Sequence, residues 1–276
     1  MYEIDASNIL DQTTSLLDLI DNDLHIFNDE THEPSVYQHS HYYQSSDISN
    51  VLKTKSHNFI LLSLNCQSLQ AKFEQIKGYI KSLTENNCTI SAICLQETWL
   101  SDESDLSLLQ LEGYNLISRG KSCSAHGGVA IYLHESFQYK IVSLINESHS
   151  WDSQFVEVSL QSDLVAPVID RQKLLIGNIY RPPRQTVEDI GEFKNEFYNI
   201  IENLQNYKHV ILTGDFNIDL LKFKENAHIS DFLDTMISYS YFPKITMPTR
   251  LTHKKGTLID NFLSNCQLIS LKLPQE

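Results

Sequence analysis

The chain has 276 residues, 41% of them apolar and 20% charged, and a formal net charge of −14. That length supports one large domain or two small ones, and no run reaches the roughly 20 apolar residues of a membrane-spanning helix. The charge is uneven: residues 1–52 carry ten Asp or Glu and no Lys or Arg, leaving only −4 on residues 53–276, so acidity neither supports nor excludes a nucleic-acid partner.

Residues 1–56 are expected to form an acidic, disordered leader and arm. Leu16 to Asp23 interleaves acids with aliphatics, and Val36 to Ser56 is rich in Tyr, His and Ser. No basic segment followed by an apolar one opens the chain, so no secretion signal is expected. From about residue 57 to 276 the pattern is that of a folded domain. Strands are expected at Phe59–Leu64, Thr89–Leu95, Tyr114–Ser118, Gly128–Leu133, Tyr139–Leu144, Gln154–Leu160, Leu174–Tyr180 and His209–Thr213, with weaker ones at Leu258–Leu263 and Leu268–Leu273. Apolar residues at helical spacing predict helices over Ala71–Leu83, Glu188–Leu204 and Ile229–Tyr239. Helices separated by runs of strands suggest an α/β fold of two sheets with helices outside. Five cysteines without a Cys-x-x-Cys pair argue against a disulfide framework or zinc site and for an intracellular setting, nuclear or cytoplasmic. Each is expected to be a small buried apolar residue.

The strongest local signal is Thr213-Gly214-Asp215-Phe216-Asn217 after the run Val210-Ile211-Leu212. It places a carboxylate and a carboxamide at the mouth of a buried strand, where open α/β sheets carry their chemistry. Other strands also end in polar residues: Asn65-Cys66-Gln67-Ser68-Leu69, Gln96-Glu97-Thr98-Trp99-Leu100, Asn178-Ile179-Tyr180-Arg181-Pro182-Pro183 and Thr257-Leu258-Ile259-Asp260.

With Gly127-Gly128-Val129-Ala130-Ile131-Tyr132, this series resembles the endonuclease/exonuclease/phosphatase superfamily, and more narrowly the apurinic-type endonuclease domain of non-LTR retrotransposons. The resemblance covers about residues 57 to 276 and rests on six motifs in the family's order. It implies a four-layer α/β sandwich, with two mainly antiparallel sheets face to face and helices outside. It implies a metal-dependent phosphodiesterase nicking DNA, with Mg²⁺, or alternatively Mn²⁺, as its cofactor and no small-molecule cofactor. Glu97 then matches the metal ligand. Asn65 matches the residue that positions that carboxylate and the phosphate, and Tyr180 the tyrosine touching the scissile phosphate. Asp215 matches the base or water orienter, Asn217 the phosphate donor, and Asp260 a supporting carboxylate. Arg250, His253, Lys254 and Lys255 form a basic cluster where the family's DNA-facing loop occurs, and a solvated loop is the alternative.

The sequence departs from the family at one place. The family's Ser-Asp-His motif does not follow Asp260, and His209, His228 and His253 lie in other contexts. The expectation is a domain incomplete at its C-terminus, lacking its last strand, with weak or no activity. Two alternatives therefore stand beside the nicking endonuclease. One is an inactive remnant or domesticated binding module that keeps the fold. The other is a phosphoesterase of another branch of the superfamily, which the wording of the Gln96–Leu100 and Asn178–Pro183 motifs disfavours. Asp219 is expected to be a loop or capping acid, and His126-Gly127-Gly128 a tight turn feeding a strand.

Overall fold

The computed structural model describes residues 41–43, 45–53, 59–120, 126–144, 150–160, 172–183, 187–252, 255–266 and 271–272. Its elements, in chain order, are β1 (His41–Tyr42), α1 (Ser45–Lys53), β2 (Leu61–Asn65), α2 (Leu69–Glu85), β3 (Ala92–Gln96), β4 (Tyr114–Arg119), β5 (Val129–His134), β6 (Gln138–Val142) and β7 (Asp152–Leu160). There follow β8 (Gln172–Tyr180), α3 (Val187–Leu204), β9 (His209–Asp215), α4 (Ala227–Ser238), β10 (Phe242–Pro243), β11 (Arg250–Leu251), β12 (Gly256–Thr257), β13 (Asp260–Ser264) and β14 (Leu271–Lys272). The chain divides into a unit spanning Ser45–Phe216 and a second formed by Met1–Gln44 with Asn217–Glu276.

The larger unit is built from two βαβ units, each extended by antiparallel strands. In one sheet, of order β2-β3-β5-β4, β2 and β3 run parallel and are joined by α2. In the other, β8 and β9 run parallel and are joined by α3, and β7 and β6 follow beyond β8. A parallel pair needs such a crossover, and a helix provides it. α2 starts at Ser68, whose hydroxyl accepts from Ala71 N at 3.4 Å, and buries Phe73, Ile76, Ile80 and Leu83 on one stripe. α3 buries Phe193, Phe197, Ile200, Ile201 and Leu204. Its rings meet the buried Trp151, whose indole N–H donates to Glu196 Oε2 at 2.6 Å. Three of the five cysteines, Cys66, Cys88 and Cys94, are buried as expected; Cys266 is half-buried and Cys123 lies outside the described residues.

The two sheets are tied through Asn178. This fully buried side chain donates to Leu95 O and Ala130 O, both at 2.9 Å, and accepts from Gln96 Nε2 at 2.6 Å. The inner face of β8 therefore carries Asn178 and, two residues on, Tyr180. The architecture is the expected mixed α/β arrangement of two large sheets.

Some expectations shift. The stretch expected as part of a disordered leader and arm contains α1, which buries Ile48 and Leu52 one turn apart. The strand expected from Leu258 begins at Asp260 instead. Asp219 Oδ1 accepts from Leu258 N, and Thr249 Oγ1 accepts from the amides of Ile259 and Asp260, so side chains take those donors. Of the last expected strand, Leu271–Lys272 pairs with β1, and its remaining positions lie outside the described residues.

In the smaller unit β10 pairs antiparallel with β13, and β11 pairs with β12 as a hairpin. The loop after Asn217 is held to the segment before Asp260, with Leu220 N donating to Leu258 O at 2.9 Å. Asp219 thus serves as a loop acid, but it makes no side-chain cap of the short turn that follows it.

Candidate active site

Within the larger unit, the parallel strands deliver their polar residues at their C-terminal ends. Asn65 on β2 stands opposite Gln96 on β3, and Tyr180 on β8 stands opposite Asp215 on β9. The row continues to Asp152 at the start of β7, which pairs with Tyr180. Partners directly opposite share a sheet face, so Asp152, Tyr180 and Asp215 project together.

Asn65 joins the two halves. Its Nδ2 donates to Glu97 Oε1 at 2.7 Å and to Asp215 Oδ2 at 2.9 Å. One amide therefore holds two carboxylates from different sheets within two hydrogen-bond lengths of each other. Asn65 does not cap α2, a role that falls to Ser68. Asp215 is fully buried and Tyr180 nearly so, whereas Glu97 and Asn65 are half-buried.

The Glu97 loop is held on both sides. Ser68 N and Leu69 N donate to Glu97 O and Thr98 O, while Thr98 N and Trp99 N donate to Gly128 O and Gly127 O. Glu97 and Trp99 adopt left-handed backbone, with φ of +52° and +58°. Gln67, Ser68 and Asn217 do the same in the loops after β2 and β9. Strain of this kind gathers where surrounding structure over-determines a functional loop. His126-Gly127-Gly128 is the expected turn into β5, with Gly128 at φ +93°.

The Gly214-Asp215 segment has its own clamp. Gly214 has φ +146°, and a Cβ there would overlap the Ile179 carbonyl. Arg181 N donates to Asp215 O at 3.0 Å, and Arg181 Nε donates to Phe216 O at 2.7 Å. The buried guanidinium also lies over the Phe193 ring. Beside Glu97, burial pushes the Cys66 thiol up to about 12, so it stays a protonated packing group.

Asn217 and Asp260 belong to the smaller unit. Asn217 is half-buried with φ +49°. Asp260 opens β13, with its amide donated to Thr249 Oγ1 at 3.2 Å. Arg250 and Lys255 sit on the β11–β12 hairpin, closed by Thr252 N donating to Lys255 O. His253 and Lys254 lie outside the described residues.

Sequence reasoning did not select Asp152, Asn178 or Arg181 as site-building residues. Asn178 and Arg181 flank Tyr180 within a motif that was read. Asp152 carried only the weak signal of an acid heading an apolar strand.

The model of the Endonuclease/Exonuclease/phosphatase family matches residues 62–265. The chain belongs to that family. Its members generally hydrolyse phosphodiester bonds and generally use divalent metals. No curated protein matches the chain. Among solved structures, the Xenopus laevis APE2 catalytic domain is 20% identical, with a TM-score of 0.51 over 74% of this chain and 82% of that one. The 3′ phosphatase NExo from Neisseria, solved with a product DNA hairpin, is 12% identical, with a TM-score of 0.52 over 75% and 86%. The endonuclease domain of TRAS1, a telomere-specific non-LTR retrotransposon, is 13% identical, with a TM-score of 0.49 over 75% and 84%. Such identities speak to fold alone, and the last superposition is too loose to carry an argument.

Among the described residues no three His, Cys, Asp or Glu side chains converge as a metal cluster. Mg²⁺ does not demand one, because it takes one or two carboxylates, substrate phosphate and water. The donors present fit that chemistry. The Glu97 and Asp215 carboxylates offer hard oxygen atoms, and buried Asn65 Oδ1 has no hydrogen-bond partner among the described residues.

Proposed function

We propose that the chain is a divalent-metal-dependent phosphodiesterase that nicks DNA, of the kind non-LTR retrotransposons use on their targets. The observation that carries this reading is the Asn65 amide bridging Glu97 and Asp215. The retrotransposon assignment rests on the six motifs, and DNA as substrate rests on those motifs and on the DNA-bound phosphatase of the same fold.

Glu97 would hold Mg²⁺ or Mn²⁺, with Asn65 keeping its carboxylate in place. A cation held there would supply positive charge to offset that of the phosphate oxygens. Asp215 orients a water for in-line attack and takes up its proton, while the P–O3′ bond breaks and the departing 3′ oxygen is protonated from solvent to a hydroxyl. Tyr180 and Asn217 donate to phosphate oxygens as negative charge grows on them. Asp260 serves as the supporting carboxylate, and Arg250, His253, Lys254 and Lys255 contact flanking backbone phosphates. Residues 57–276 form the catalytic domain and residues 1–56 its leader.

The test is Mg²⁺-dependent nicking of supercoiled plasmid, with chelator added as control. Glu97→Ala and Asp215→Ala should each lower the rate by about 10²-fold or more. Equal nicking by both variants and wild type would remove this site assignment. A folded wild-type protein that binds DNA without cutting it would support a binding module instead.

A further inference from the structure

We propose that Asp152 is a positioning residue that sets the metal affinity of the site by anchoring Gly128 against the Glu97 loop. The proposal rests on Glu97 as metal ligand but not on the identity of the substrate. Asp152 is only 2% exposed, and a carboxylate is costly to bury unless its oxygens are satisfied. Its Oδ2 accepts from Gly128 N at 2.8 Å. The same glycine presents its carbonyl to Thr98 N at 3.1 Å, and Gly127 O accepts from Trp99 N at 2.9 Å. The amides on the C-terminal side of Glu97 are thus held by a turn that Asp152 holds in turn. Gly128 takes φ +93°, so its peptide is turned by the backbone alone and carries no side chain to brace it.

This path runs from one sheet to the other. Asp152 lies on β7, in register with Tyr180, whereas Glu97 follows β3. Glu97 at φ +52° needs outside restraint to keep its carboxylate beside Asn65. On the other flank, Ser68 N and Leu69 N grip the loop's carbonyls. With the Gly128 anchor released, the loop keeps one flank only, and Glu97 samples positions away from Asn65.

Asp152→Ala removes the acceptor, and Asp152→Asn keeps one. Binding of Mn²⁺ alone, followed by calorimetry, should weaken by about 10- to 100-fold in Asp152→Ala and by less than about threefold in Asp152→Asn. Amide hydrogen exchange of the metal-free protein should show Gly128, Thr98 and Trp99 protected in wild type and in Asp152→Asn. Protection should fall in Asp152→Ala, with the β8 and β9 amides unchanged. Asp152→Leu, close in size and without an acceptor, replaces Asp152→Ala if the latter does not fold. Wild-type Mn²⁺ affinity in the variant lacking the acceptor would overturn the proposal. So would an Asp152→Asn as weak as Asp152→Ala, or a freely exchanging Gly128 amide in folded wild type. None of these readouts involves DNA, so absent nicking with intact Asp152-dependent metal binding would count against the proposed activity alone.

Discussion

Asn178→Ala should be among the most destabilising single substitutions in the larger unit. Asn178 is fully buried and makes three hydrogen bonds across the sheet interface. Truncation leaves Leu95 O and Ala130 O without that donor, and Gln96 Nε2 keeps only longer bonds to Ser63 Oγ at 3.2 Å and Cys94 O at 3.4 Å. Leu95 and Ala130 stay paired with each other in the β3–β5 ladder, so the loss is that of three hydrogen bonds at about 0.5–1.5 kcal/mol each, about 2–4 kcal/mol in all. In a domain of this size each kcal/mol lowers Tm by about 2–4 °C, so the expected drop is on the order of 4–16 °C. Thermal unfolding followed by circular dichroism, with urea midpoints at an unchanged m-value, measures it. Gln96→Leu with Asn178→Ala should cost less than the sum of the singles, because the two amides partner each other. An Asn178→Ala protein melting within about 2 °C of wild type would refute the reasoning that this amide joins the sheets.

Other expectations follow from the same geometry. Asn65→Asp replaces the shared donor with a third carboxylate, so metal-free protein should be less stable than Asn65→Ala, and divalent cation should recover more of its Tm. Equal Tm values for the two variants with and without cation would contradict this. Gly214→Ala should fail to accumulate as folded protein or lose about 3 kcal/mol or more, since the new Cβ meets backbone rather than a movable side chain; a wild-type urea midpoint would count against it. Cys66 is raised from 9.0 to about 12 by burial. The unfolded thiol therefore loses its proton first, so this group's share of stability is fully present below about pH 9 and is lost as pH rises from about 9 towards 12, with no pH dependence below that window. The half-buried Tyr114 and the buried Tyr132 act in the same direction. Urea midpoints at about pH 8 and about pH 10.5 check this, and Cys66→Ala should lessen the slope without abolishing it.

The long apolar strands and the two crossover helices were legible because burial on both faces writes itself as continuous β-branched runs, and α3 as a clear helical stripe. The site residues Asn65, Glu97, Tyr180 and Asp215 were legible as strand-end polar groups. What joins them was not. Asn65 lies 150 positions from Asp215, and no local pattern announces a bond over that separation. Asp152 was missed because strand register, which a single sequence does not fix, sets it beside Tyr180. α1 was missed because three apolar residues among three serines, an aspartate, an asparagine and a lysine give too faint a periodicity. The late strand was placed too early because Leu258 and Ile259 are as apolar as strand residues. Their amides go to Asp219 and Thr249 side chains, which no propensity scale foresees.

The chain has two tryptophans, and they sit in opposite surroundings. Trp99 is 38% exposed, edge-on to the His126 ring, two residues from Glu97, whereas Trp151 is 1% exposed and bonded to Glu196. The protein therefore carries two indole fluorophores, one beside the proposed metal ligand and one in the core. A soluble quencher such as iodide should silence Trp99 and spare Trp151. Ligand entry then reads out as a change in the quenchable fraction, and loss of the fold as a red shift of the remainder, with no label and no substitution.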